Sequence, residues 1–431
     1  MLDRITALPF IHWIKHKSIQ NFIFLAIIQA SNILISLISM PLLITSIGVD
    51  QFGLVNLALS VIILANIMVG FGFNLSGPRE VAINHKDKEA LSHLVSNIIF
   101  SRIVMAAVAA LIIFVAIFGF GLFKEYQVIL AFSLLLLFSE ATLPLWFFQG
   151  MEKMKLISLA NVFSKLLFLM GIVLFIHSPE QSKWVNFLLG GTALSINLLL
   201  LLYIHFEMEI LFYKPKFVQI FVSLKDNILL FFSNLATHIS INGGIIILSF
   251  FSTAEVLGMF SLAERIIMVL RMFPALIIQA IYPNASRMYQ EGIEAFVIFV
   301  RKIYSWSILI GFTISIVTYL IAPYAVLLLS KSDLPQSVIY LRILSFIPFL
   351  ACLNIANIIM LLVTDQKDQL FKSSWMMCLY MLTVSIILTD RLGAVGLSYA
   401  LVSTEIIVFV ISTTLLYRKS RAMTVRFYRF I

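Results

Sequence analysis

Eight ionisable side chains lie in stretches of this chain that are otherwise apolar: Arg102, Lys165, Arg265, Arg271 and Arg342, with Glu140, Glu264 and Glu405 against them. Charges in such stretches face protein or water rather than lipid, and five unpaired cations would cost about 12–17 kcal/mol together. Pairing with all three acids still leaves two positive charges. That surplus points to an anionic substrate, which guanidinium forks grip by bidentate hydrogen bonds and an ammonium attracts as a point charge. At 1.5 Å of rise per residue, Lys165, Arg265 and His238 sit roughly 14–15 Å from the starts of their stretches, near a bilayer centre. Arg102 and Arg342 lie nearer the ends, where snorkelling to an interface is the competing reading. Arg271 follows Glu264 by seven positions and shares its face, but an axial rise of about 10 Å is too long for direct pairing. Adjacent Glu264 and Arg265 point to different faces. Glu140 and Glu405 have no local cation. Each is either the partner of a cation on another helix or, with Glu264, a candidate for carrying a coupling ion, H⁺ or Na⁺.

Polar residues recur at helical spacing around these charges. Gln29, Asn32, Ser36 and Ser39 form one stripe, Asn66, Gly70 and Asn74 a second, and Asn234, Thr237, His238 and Asn242 a third. One such stripe is equally well explained by interhelical hydrogen bonds, whereas three together favour a shared hydrated cavity. Asn32, Asn66, Asn74, Asn234, His238 and Asn242 are the expected polar lining. No phosphate-binding Gly-Lys loop, His-Glu-x-x-His pattern or Gly-x-Ser-x-Gly elbow is present, which argues against an enzyme and against an ATP-driven pump. Cys352 and Cys378 fall inside apolar stretches and no Cys/His spacing suggests a metal site or a cofactor.

The elements that must position these residues are membrane spans. With 61% hydrophobic and 12% charged residues over 431 positions, the chain cannot cover itself with a polar surface. Stretches of about 20 apolar residues predict twelve helices, at approximately 19–46, 51–75, 94–121, 126–149, 156–177, 184–206, 228–251, 256–283, 301–322, 338–363, 370–389 and 393–417. Basic residues crowd the N-terminal arm (Arg4, Lys15, Lys17), the even-numbered connections (among them Arg79, Lys86, Lys153, Lys214, Lys216 and Arg287) and the tail (Arg418 to Arg429). The odd-numbered connections hold only Lys124, Lys183, Lys331 and Arg391, so both termini are expected in the cytoplasm. The net charge of +9 is then topology and attraction to anionic lipid, not a nucleic-acid footprint. The apolar stretch after Lys17 is too long for a cleaved signal peptide and is expected to remain as the first span.

The connection 207–227 divides the chain into an arm 1–18, a six-helix lobe 19–206, a linker, a second six-helix lobe 228–417 and a basic tail 418–431. A faint repeat at an offset of 205 relates Gly53 to Gly258, Gly191 to Gly396, and Pro78 to Pro283, the two prolines being expected to end their helices. Such a duplication would be parallel, about an axis along the membrane normal.

Three segments carry a family resemblance: Phe71-Gly72-Phe73-Asn74-Leu75-Ser76, Trp146-Phe147-Phe148-Gln149-Gly150-Met151-Glu152-Lys153-Met154-Lys155, and Ala280-Ile281-Tyr282-Pro283-Asn284-Ala285-Ser286. In these, and in helix count and segment order, the chain resembles the Wzx-type O-antigen flippases of the multidrug/oligosaccharidyl-lipid/polysaccharide exporter superfamily. The resemblance implies an all-α polytopic fold like that of the MATE exporters, two six-helix lobes around a V-shaped cavity, in a bacterial inner membrane. It also implies movement of undecaprenyl-pyrophosphate-linked oligosaccharide from the cytoplasmic to the periplasmic leaflet, with the O-antigen polymerase and chain-length regulator as partners. On that expectation Lys165, Arg265 and Arg271 hold the pyrophosphate, with Arg79 and Arg102 helping at the cytoplasmic mouth. Glu152, Lys153 and Lys155 fall in a turn and are expected to stabilise or gate rather than to bind sugar. A cation-coupled drug exporter of the same fold is the first alternative, disfavoured by the basic interior. A membrane-embedded glycosyltransferase or polymerase is the second, disfavoured by the short outer connections.

Overall fold

The computed structural model describes residues 17–121, 124–215 and 217–428. Arg4, Lys15, Lys216 and Arg429, which entered the expected topology, lie outside the described residues. Among those described, the regular elements are helical. In hydrocarbon, every backbone N–H and C=O must be satisfied within its own segment, which is why apolar runs of this length become helices.

In chain order the α-helices are α1 Lys17–Gly70, α2 Phe73–Asn84, α3 Lys88–Phe114, α4 Gln127–Ser133, α5 Leu135–Thr142, α6 Leu145–Gly150, α7 Met154–Phe175, α8 Lys183–Phe206, α9 Phe217–Asn242, α10 Gly244–Ser249, α11 Ala254–Glu291, α12 Ile293–Ser330, α13 Pro335–Leu344, α14 Ile347–Leu353, α15 Ile355–Val363, α16 Lys367–Lys419 and α17 Arg421–Tyr428. Nine helical stretches among the described residues are long and apolar enough to cross a membrane, and a pair bent by 53°, Val218–Ile228 and Leu230–Asn242, adds a tenth. Two of the nine are double. α1 leaves helical geometry at Gly48 (φ 84°, ψ 165°) and α16 at Gly393 (φ 59°, ψ −140°), conformations that glycine adopts without a Cβ clash. Each kink divides one long helix into two spans, which reconciles the structure with the twelve stretches of the sequence.

Two helix ends differ from expectation. The second span stops at Gly70, where Phe71 (φ 37°) and Gly72 (φ 84°) turn the chain, while Pro78 lies inside α2. Position 283 likewise falls within α11, which continues to Glu291 and ends at Gly292 (φ 145°). Backbone turns, not prolines, terminate both. At 38 residues α11 is about 57 Å long, so it tilts or extends past the apolar layer.

The chain packs as two compact units. The first comprises residues 1–48 and 58–234. Its core gathers Phe71, Phe73 and Val81 with Trp146, Phe147 and Phe148 and with Ile196, Leu200 and Ile204. The most specific signature segment is therefore a packing device. Trp146 lies over Gly77, where a Cβ would meet its ring at 3.1 Å, and a Cβ on Gly150 would come within 2.6 Å of Pro78 O, so α2 and α6 touch almost backbone to backbone.

Residues 207–214 of the expected linker are bound to this unit. Ile210 is buried in its core, and Ser92 Oγ and Ser96 Oγ on α3 accept from the N–H groups of Leu211 and Tyr213 at 3.1 and 2.8 Å. Tyr213 stacks on His93, and Lys88 pairs with Glu209. Helix α9 starts at Phe217, within the range 207–227, and its Phe231 stacks on Phe71 with ring centroids 4.6 Å apart.

The second unit comprises residues 49–57 and 235–431. The repeat-related glycines meet inside it: a Cβ on Gly53 would lie 2.4 Å from Gly258 N, and one on Gly258 would lie 1.9 Å from Val49 O. The basic tail is folded here. Met423 and Phe427 of α17 are buried in the core with Phe296, Val300 and Ile359. Arg301 donates to the carbonyls of Arg426 (2.8 Å) and Phe427 (3.1 Å), and Tyr428 Oη donates to Asn357 Oδ1 at 2.8 Å. A cation on the last carbonyls of a helix satisfies acceptors the helix cannot satisfy itself.

Candidate functional site

The buried charges separate into two groups. In the first unit, α5 ends at Thr142 because Leu143 is extended (φ −69°, ψ 111°), the conformation that a following proline favours, here Pro144. The last carbonyls of α5 thus lack helical donors. Arg102 of α3 fills that gap: Nη1 donates to Leu143 O at 3.1 Å, and Nη2 to Glu140 O at 2.6 Å and Glu140 Oε1 at 2.9 Å. Asn74 of α2 hydrogen-bonds the same Glu140 carboxylate. Arg102 is 0% exposed. Its charge sits at a helix C-terminus, where the dipole favours a cation, and it staples α3 to the break between α5 and α6. The expected position of Arg102 at an open mouth does not match this enclosure.

In the second unit, three charged residues of α11 lie within two turns. Arg265 directs Nε to Asn56 Oδ1 at 2.8 Å, and its Nη2 reaches the same oxygen. Asn56 Nδ2 is tied to Phe52 O at 2.8 Å, which fixes the amide with its oxygen toward the guanidinium. Asn56 thus orients Arg265 but brings no charge of its own. Six positions on, Arg271 turns to another neighbour and pairs with Glu405 of α16. Arg271 keeps a quarter of its side chain exposed, and Glu405 is buried. Glu264 is buried within electrostatic reach of Arg265 and Arg271.

The other candidates are more dispersed. Lys165 is half-buried on α7, and Arg79 is exposed on α2. Asn32, Asn74 and His238 are exposed, and Asn66, Asn234 and Asn242 half-buried. The stripe on α9 is bonded partly to itself, since the Asn242 amide reaches His238 O at 3.3 Å. Arg342 lies over the Tyr319 ring, 5.3 Å from its centroid, a cation–π contact that accounts for its charge near the end of a span. Glu152, Lys153 and Lys155 line a cleft of about 420 Å³ with Gln20, Ile23 and Phe24. An apolar groove of about 350 Å³ runs between α11 and α12 along Phe273, Ile277, Ile281 and Trp306, with Lys302 on its wall.

Asn56 is the site residue that the polar stripes miss. It is ten positions before Asn66 and so off that stripe. A lone Asn in an apolar stretch was the available signal, strengthened by its repeat equivalent, Ser261, one turn before Arg265.

A family model described as "Polysaccharide biosynthesis protein" matches residues 18–289. The chain is 27% identical over 390 residues to a protein of Escherichia coli (strain K12) named "Putative O-antigen transporter", covering 90% of this chain and 94% of that one. A protein of Shigella dysenteriae with the same name is 27% identical over 281 residues, 64% of this chain and 68% of its own length. Among solved structures, an inward-facing MATE-family multidrug resistance transporter of the MOP superfamily superposes with a TM-score of 0.71 at 14% identity, over 93% of this chain and 99% of that one. The lipid II flippase MurJ in an inward closed conformation gives 0.64 at 12% identity, over 94% and 90%. At these identities the likeness concerns fold: an all-α polytopic membrane architecture of the MATE kind, as the sequence predicts.

Proposed function

Because this chain belongs to the polysaccharide biosynthesis protein family, we propose that it is a flippase for a polyprenyl-diphosphate-linked repeat unit of O-antigen or a related surface polysaccharide. On this reading it sits in the bacterial inner membrane with both termini in the cytoplasm. It carries the head group from the cytoplasmic to the periplasmic leaflet by alternating access, with no bond made or broken.

The observation that carries the reading is the cationic face of α11. Arg265 is oriented inside the bundle by a neutral amide oxygen, and Arg271 keeps a quarter of its side chain exposed. A diphosphate supplies the charge and the paired oxygens that such groups bind best. Lys165 adds a point charge, and Arg79, exposed on α2, meets the head group at entry. The asparagines and His238 serve the sugars, and the groove along Phe273, Ile277 and Ile281 offers the polyprenyl tail an apolar track. Glu264, buried within electrostatic reach of Arg265 and Arg271 and in no ion pair among the described residues, is the coupling-ion candidate. The polymerase and the chain-length regulator are the expected downstream partners.

Replacing Arg265 and Arg271 together by alanine, at equal protein level, is expected to abolish surface O-antigen and leave complete lipid-linked repeat units on the cytoplasmic side. Normal display would remove both arginines from the site. Deleting the gene in a strain without a second transporter tests the function itself. Surface glycan unchanged by deletion would reject it and favour cation-coupled drug export on the same fold.

A further inference from the structure

The Arg271–Glu405 pair joins helices far apart in the chain, and it differs from the other buried pair in what surrounds it. Arg102 has two backbone carbonyls as well as a carboxylate. Arg271 has the Glu405 carboxylate and, among the described residues, no second acceptor. Glu405 itself is 6% exposed. Glu264, on the same face of α11 as Arg271, is buried as well. Of the helices packed on α16, α10 and α15 carry no ionisable side chain. In α13, Arg342 is engaged by Tyr319 and Tyr340 donates to Gln336. Among the described residues Glu405 has one ion-pair partner, Arg271, which keeps a quarter of its side chain exposed.

Resting on the head-group reading of Arg271, we propose that Glu405 is an internal competitor of the substrate diphosphate for this arginine. In the empty protein the carboxylate occupies the guanidinium. An incoming diphosphate displaces it, because it brings more charge and more acceptor oxygens than one carboxylate. Two consequences follow for transport. Anions that bind a guanidinium no better than a carboxylate are rejected, since they cannot repay the loss of the resident pair. A head group delivered to the far leaflet is released more readily, since Glu405 recaptures Arg271 as it leaves. Glu405 is therefore a specificity and release residue, and its removal strengthens binding while slowing turnover.

The test measures binding of farnesyl diphosphate, with farnesol as the uncharged control, to the full-length protein in lipid nanodiscs. Glu405→Gln is expected to bind farnesyl diphosphate at least about tenfold more tightly than the wild type. Arg271→Ala should bind at least about tenfold more weakly, and the double variant should behave as Arg271→Ala alone. In cells Glu405→Gln should show reduced surface glycan at normal protein level. Glu405→Asp withdraws the carboxylate by one methylene and should fall between wild type and Glu405→Gln, which keeps the test valid if the glutamine variant does not fold. Unchanged or weaker binding by a folded Glu405 variant overturns the proposal, as does tightening that persists without Arg271. If the wild type binds farnesyl diphosphate no better than farnesol, the head-group reading falls and takes this inference with it.

Discussion

Arg102 with Glu140 and Arg271 with Glu405 are the same chemical pair in two surroundings. In the first it is the arginine that is sealed, shared with the carbonyls at the end of α5 and fixed to three helices, while a quarter of the Glu140 side chain stays exposed. The second is partly accessible and rests on one carboxylate. A buried cation that also completes the backbone of a broken helix cannot be exchanged, because its departure would orphan several acceptors at once. A cation with one side-chain partner can change that partner. The contrast separates the two arginines where residue type, hydrophobic context and pairing to glutamate do not, and it is the ground for proposing a functional role for Arg271 alone.

The sharpest way to break this comparison is to truncate both arginines. Arg102→Ala should destabilise the protein by about 3–5 kcal/mol, or prevent its accumulation, since it leaves the buried part of the Glu140 carboxylate without its cation and takes a charged donor from two carbonyls. Arg271→Ala also leaves a buried carboxylate, Glu405, without its partner, but takes no donor from a backbone carbonyl, so it should cost less than Arg102→Ala and still accumulate while losing glycan display. Thermal unfolding of the purified variants decides it, and a folded but inactive Arg102→Ala would reverse the two roles.

A smaller effect shows that the second unit is not loose throughout. Gly258→Ala places a Cβ 1.9 Å from Val49 O and should cost roughly 1–3 kcal/mol as the backbone shifts. Gly191→Ala, whose Cβ would meet Leu135 at an ordinary 3.7 Å, should be neutral or slightly stabilising by the same melting assay. Equal losses at the two sites would contradict the close approach.

Smaller still is the anchoring of residues 207–214 on α3. Removing the acceptors of Leu211 and Tyr213 by Ser92→Ala and Ser96→Ala should cost about 1 kcal/mol each, seen as faster proteolysis within 207–214. The smallest effect belongs to Lys88 and Glu209. Lys88 donates to the Glu209 carboxylate and holds it below its usual range. A carboxylate with a depressed folded value contributes stability above its unfolded value and loses it as pH falls through the folded one. Proteolytic protection of this segment should therefore be flat from about pH 8 to pH 5 and weaken only below about pH 4. A loss between pH 8 and pH 6 would contradict this role for the pair.

Much of this was legible in the sequence. Periods of apolar residues gave the spans, and the kinks fall at glycines where predicted stretches adjoin, Gly48 between two of them and Gly393 at the start of the last. The charges inside the apolar stretches were also visible. What periodicity supplies is a face, not a neighbour. It could not reveal that Asn56 rather than an acid meets Arg265, nor that Arg102 serves carbonyls at a helix break. Nor could composition show that the basic tail buries Phe427 or that the polar linker contributes Ile210 to a core, because one well-placed apolar residue barely alters a charged segment.

The sequence by itself determined that this chain spans a membrane, how many times, and that its interior holds more cations than anions, since transfer from water to lipid depends on each segment's own composition. Only the tertiary structure decided which arginine shares its carboxylate with backbone carbonyls and which rests on the carboxylate alone. Pairing depends on positions separated by up to 134 residues, Arg271 and Glu405, brought within hydrogen-bond reach by the packing of α11 and α16.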